Sequence, residues 1–185
     1  MSKLSINYAA HEGVGELIDI LTYCAEGISL GFDQWEKSHT MGPGLYFVVI
    51  ADHRYGSYAD PMGANEWPLE NYRQVEQDGK FYETARDVAF ENDGAVVISV
   101  DGVVQEQMVR VRNLNEEELQ SDSLPKTEFA DWMGARHMSA LETSLREEVV
   151  ATVTLSEETG RVSIFNNGNV RTRRRDELGE TWPQK

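Results

Sequence analysis

Asn92-Asp93-Gly94-Ala95 puts a carboxylate ahead of two residues with almost no side chain, at the entry to an apolar run. A carboxylate at a strand edge with bare backbone beside it lets a flat ligand approach. Alone, the same residues also describe an ordinary Asp-Gly turn. Gly134-Ala135-Arg136-His137-Met138-Ser139-Ala140 stands at a helix start. Free backbone N–H groups there attract phosphate. Arg136 can add charge-assisted bonds to phosphate oxygens, and His137 can donate to phosphate or ligate a metal. A surface ion pair and a structural histidine are the plain alternatives. Ser156-Glu157-Glu158-Thr159-Gly160 places two acids in a tight turn that could hold a divalent cation, or could equally be a solvated hairpin.

The elements that must position these groups follow from periodicity. Val14, Leu17, Ile18, Leu21, Cys24, Ala25 and Ile28 recur at helical spacing and predict an amphipathic helix over about residues 12–29. After Gly42-Pro43-Gly44, the continuous apolar run Leu45 to Ala51 reads as a buried central strand. Residues 52–78 are polar, carry Pro61, Gly63 and Pro68, and read as a long surface excursion. A helix over Phe81 to Phe90 leads into a strand from Ala95 to Val100. Asp101-Gly102 signals a type I′ hairpin returning through Val103 to Val111. Residues 115–128 read as an acidic loop ended by Pro125, and Arg136 to Glu147 as a helix. Val149 to Leu155, Arg161 to Phe165 and Val170 to Arg173 read as strands, with the tail after Asp176 frayed. The expectation is one α/β domain: a mixed, twisted sheet of about six or seven strands flanked by helices. Its divisions would be a helix and leader over 1–43, a core over 44–175 and a tail over 176–185.

Composition narrows the function. There are 32 acidic and 17 basic residues among 185, a formal charge of −15. That surface repels nucleic acid, so no nucleic-acid partner is expected. The acids are spread along the chain, as on a surface adapted to a salty cytoplasm where screening removes self-repulsion. No apolar run is long enough for a membrane span. Met1 to Ile6 shows neither a long apolar stretch nor a small-residue cleavage site, so a cytoplasmic protein without a secretory signal is expected. Cys24 is the single cysteine and falls on the apolar stripe, so it reads as an inert buried thiol. The basic cluster Arg171, Arg173, Arg174 and Arg175 reads as a solvated strand end, with polyanion or partner binding as the minority reading. P-loop, dinucleotide-binding, G-x-S-x-G, H-E-x-x-H and cysteine zinc motifs are all missing from the sequence.

In order, D-G-A-V-V-I, G-A-R-H-M-S-A and S-E-E-T-G resemble the catalytic domain of diadenylate cyclases over roughly residues 44–170. The family usually has G-T-R-H-R; here Ala135 and Met138 replace the threonine and the second arginine. An archaeal branch of the family fits this variant motif and the acidic surface. The resemblance implies condensation of two ATP into cyclic di-AMP and two pyrophosphates, at a site shared by two facing protomers of a homodimer or larger homo-oligomer. It implies Asp93 as the catalytic carboxylate. It implies Gly94, Ala95, Gly134, Arg136, His137, Ser156 and Glu157 as nucleotide-binding residues. His137 and Glu158 would be metal ligands for Mn²⁺ or Mg²⁺. The alternative is a catalytically inactive module of the same fold that binds ATP or cyclic di-AMP.

Overall fold

The computed structural model describes residues 11–68, 75, 79–122 and 124–180. Helix α1 spans Glu12–Gly31 and β1 spans Leu45–Ile50. They are followed by β2 (Ala59–Glu66), α2 (Lys80–Glu91), β3 (Val96–Ser99) and β4 (Gln107–Val111). A single turn of helix, α3 (Glu116–Leu119), precedes α4 (Ala135–Thr143). Three strands complete the chain: β5 (Val149–Leu155), β6 (Val162–Asn166) and β7 (Asn169–Arg173). The main sheet has the order β3-β1-β5-β6-β7, and β2 and β4 form a second, two-stranded sheet. Only the β1–β3 pair is parallel; the other neighbours run antiparallel. This is the mixed α/β domain that the patterning predicts.

β1 is apolar at every position because both faces of the sheet are covered. Leu45, Phe47 and Val49 enter a core shared with Val14, Leu17, Leu21 and Ile28 of α1 and Phe81, Ala85 and Val88 of α2. Tyr46, Val48 and Ile50 enter a second core with Ala140 and Leu141 of α4. Each fully buried side chain of this kind contributes roughly 1.5–3 kcal/mol relative to exposure. The chain is thus layered helix, sheet, helix. α1 belongs to the same packed unit as the sheet, and Cys24 lies inside it with its thiol pushed up to about 12 by burial.

Several expectations need correction. The excursion over 52–78 contains β2, whose Ala59, Asp60 and Pro61 pair with Val111, Arg110 and Val109. Residues 69–74 and 76–78 of it lie outside the described residues. The turn after β3 is not type I′: Gly102 has φ +80, but Asp101 has no positive φ, and the Gly102 N–H donates to the Ser99 carbonyl. The returning chain is joined to Ala95 and β3 through the isolated bridges Ala95–Val109 and Ile98–Val104 rather than a continuous ladder, and as β4 it pairs with β2. The acidic segment contains α3, closed by a reciprocal capping box between Asn115 and Glu118. Helix α4 ends at Thr143 rather than near Glu147. Beyond Asp176 the chain does not fray at once. Residues Arg175–Glu177 form a 3₁₀ turn, Leu178 is buried, and Arg175 donates to the Ser29 and Phe32 carbonyls. Residues 181–185 lie outside the described residues.

Candidate active site

The residues singled out in sequence come together in one open cleft of about 840 Å³. Asp93, Gly94 and Ala95 line it from the entry of β3. Gly134, Arg136 and His137 line it from the start of α4, and Ser156, Glu157 and Glu158 from the β5–β6 turn.

Asp93 leaves the end of α2 with its side chain 77% exposed. Its Oδ1 accepts the Gly94 N–H at 2.8 Å, and its carbonyl accepts from Asn65 Nδ2 at 2.9 Å. Gly94 has φ +109, a conformation side chains rarely adopt, and a Cβ there would stand 3.1 Å from Met62 Cγ. The Ala95 N–H donates to the Val109 carbonyl, which anchors the tripeptide to the returning chain.

Arg136 is the hub. Nη2 lies 3.2 Å from Glu157 Oε2 and 3.8 Å from Asp93 Oδ1, and Nη1 donates to the Leu155 carbonyl at 3.4 Å. One guanidinium thus connects all three segments. Gly44 makes room for it: a Cβ there would stand 2.5 Å from Arg136 Nη1. The partners are partly exposed, so these ion pairs are each worth under about 1 kcal/mol and can exchange for a bound anion. Gly134 is the N-cap of α4 and offers no side-chain cap, leaving the first-turn N–H groups toward the cleft.

His137 is buried, at 6% exposure. Trp132 stands perpendicular to it with ring centroids 5.1 Å apart, and Phe165 lies behind. Burial, then the charges of Arg136 and Arg161, hold its pKa down to about 4, so the ring is neutral near pH 7. Its Nε2 is enclosed and makes no hydrogen bond. Ser156 is buried, and its Oγ accepts the Glu158 and Thr159 N–H groups at 3.3 Å, shaping the turn. Ser29 of α1 donates to the Gly160 carbonyl at 2.6 Å and fixes the turn from below.

Among the described residues, no three histidine, cysteine or carboxylate groups converge as a metal site. Among the described residues, His137 and Glu158 belong to no such cluster. The donors do fit an ion that arrives on substrate phosphates, for which one or two protein ligands suffice. The exposed Asp93 carboxylate is a donor of that kind, whereas the unpartnered Nε2 of the neutral His137 imidazole is enclosed and would have to be uncovered first.

The sequence reading missed other cleft residues. Tyr46 lies on β1; its phenol donates to Thr143 Oγ1 at 2.9 Å, and burial raises its pKa to about 12. Met62 comes from β2, and Arg110 and Asn113 from β4 and just beyond it. Trp132 and Arg161 also line the cleft. Their position beside Gly134 and Gly160 was the available signal.

Parts of the chain are similar to known proteins. Residues 81–170 match the family model described as DAC, the DisA bacterial checkpoint controller nucleotide-binding domain. That stretch, 90 of the 185 residues, holds the D-G-A, G-A-R-H and S-E-E-T-G motifs. A solved structure described as a hypothetical membrane-spanning protein from Bacillus cereus shares the fold, with TM-score 0.55 at 18% identity. The alignment covers 85% of this chain and 63% of that one, so this chain spans less than two thirds of that relative's length. DacA from Staphylococcus aureus, in a double-mutant form, gives TM-score 0.48 at 16% identity over 85% and 86% of the two chains. A search of curated proteins finds no match. Among the described residues, no helix is long and apolar enough to cross a membrane.

Proposed function

Starting from the DAC nucleotide-binding segment at residues 81–170, we propose that this chain is a diadenylate cyclase, joining two ATP molecules into cyclic di-AMP with release of two pyrophosphates. The observation that carries the reading is Arg136, bridging Asp93 and Glu157 at the centre of a cleft lined by all three motifs.

In each half-reaction the 3′-oxygen of one ATP bonds to the α-phosphorus of the other. The α–β bridging bond breaks, pyrophosphate carries away the electron pair, and the hydroxyl proton passes to a base. In this reading Asp93, an exposed carboxylate on the cleft wall, takes that proton. Gly94 and Ala95 let the nucleoside lie against the backbone. Arg136 and the free N–H groups of α4 hold phosphate oxygens, and Ser156 and Glu157 border the same end. This reaction depends on alignment and charge neutralisation more than on covalent chemistry with the protein. A divalent ion, Mn²⁺ or Mg²⁺, would offset charge on the departing pyrophosphate, held by His137 with Asp93 or Glu158. Because each ATP attacks the other, the complete site requires a second copy facing the first.

The test is incubation of the chain with ATP and Mn²⁺, with mass detection of the product across protein dilutions. Cyclic di-AMP should form, at a rate per protomer that falls as the dimer dissociates. Binding of ATP without any product would favour the second reading, a non-catalytic binding module. Ala135 and Met138 in the G-x-R-H segment favour that reading.

A further inference from the structure

Three guanidinium groups line the cleft, and they are not in equivalent situations. Arg136 is engaged by Glu157 and Asp93. Arg110 is on the exposed side of β4, in register with Asp60. Arg161 is half-buried and opens the return from the β5–β6 turn, where its carbonyl accepts the Ser156 N–H at 2.9 Å. Its Cζ lies 4.4 Å from the centre of the Trp132 ring, and its Nη1 donates to the neutral Thr172 hydroxyl at 3.3 Å. Among the described residues it makes no carboxylate contact within 4.0 Å, although Glu177 lies near enough to feel its charge.

In a chain with almost two acids for every base, this guanidinium rests on an aromatic ring rather than on a carboxylate. A cation over an aromatic face is fixed in place without being neutralised. Its remaining N–H donors stay available as a planar fork suited to phosphate oxygens. Its position is also the right one. Trp132 belongs to the segment that runs into the N-terminus of α4, and Arg161 lies close enough to His137 to contribute to its lowered pKa. Arg161 therefore faces the same end of the cleft as the unpaired N–H groups of α4.

We infer that Arg161, held over the Trp132 indole, is a phosphate-binding residue of this cleft and takes the terminal phosphates of a nucleoside triphosphate. The inference rests on the nucleotide reading proposed above. Trp132 is its positioning residue.

Titration calorimetry on the full chain tests it, with ATP as titrant and adenosine measured by competition against ATP. Arg161→Ala should weaken ATP by about tenfold or more, as expected for loss of a charge-assisted contact, and leave adenosine unchanged. Arg161→Lys should recover part of the loss. Arg54→Ala, which removes an equal charge from an exposed ion pair with Asp52, should bind ATP like the wild type. ATP binding by Arg161→Ala within about twofold of the wild type would overturn the inference and leave the nucleotide reading standing. Equal losses for ATP and adenosine would make Arg161 merely structural, and that too would overturn it. Should Arg161→Ala fail to fold, the same comparison applies to Arg161→Lys, whose unchanged ATP affinity would count against the planar contact. Failure of the wild type to bind ATP would remove the nucleotide reading and this inference together.

Discussion

At the residue scale, the site turns on two positions that do different work. Asp93 is 77% exposed and its carboxylate oxygen already accepts the Gly94 N–H. Asp93→Asn preserves that acceptor but removes the negative charge. It should abolish cyclic di-AMP formation while shifting stability by no more than about 0.5 kcal/mol; a product assay beside a melting curve reads both, and retained turnover would remove Asp93 from its proposed role. Gly44 acts at one remove. A methyl group there would stand 2.5 Å from Arg136 Nη1 and 3.0 Å from Glu157 Oε2. Both are far ends of flexible side chains, so the backbone need not yield. Gly44→Ala should therefore keep the fold and displace the guanidinium, weakening ATP binding by roughly tenfold. Unchanged affinity would mean that Arg136 does not meet the nucleotide.

At the element scale, α4 is docked by a neutral imidazole. An ordinary histidine titrates near 6.5, whereas His137 titrates near 4 because it is buried and faces Arg136 and Arg161. As pH falls from about 6.5 toward 4, the unfolded chain takes up a proton that the folded chain refuses, so stability is lost over that window. The loss should be on the order of 2 kcal/mol and absent from His137→Phe, while the carboxylates that titrate nearby are common to both proteins. Denaturant curves at a series of pH values check this; parallel profiles would contradict it. The same scale shows what was legible in sequence. α1, β1 and β5 carry their burial in their own periodicity. β2 does not: Ala59–Glu66 contains Pro61 and Gly63, and it is a strand because it pairs with β4 on a small sheet where a missing donor is tolerated. The three motifs were legible because each is contiguous. Trp132, Arg161 and Tyr46 were not, because the cleft they share is made by non-local packing of β1 and β6 against α4.

At the scale of the whole molecule, a formal charge of −15 is carried by acids distributed over the chain. Their mutual repulsion opposes the compact state and is screened by salt. The melting temperature should rise from low to molar salt, and a flat or falling profile would dismiss adaptation to high ionic strength. β7 departs from this acidity. It ends the main sheet, and among the described residues no strand pairs with its outer side. A bare ladder of that kind invites identical chains to add on edge to edge. Here the strand reads Asn169-Val170-Arg171-Thr172-Arg173, and Arg174 and Arg175 follow. Arg173 and Arg174 are paired with Glu26, Asp176 and Glu177, so the charge this border turns toward a second copy is chiefly that of the exposed Arg171, and its repulsion of its own counterpart discourages fibre growth.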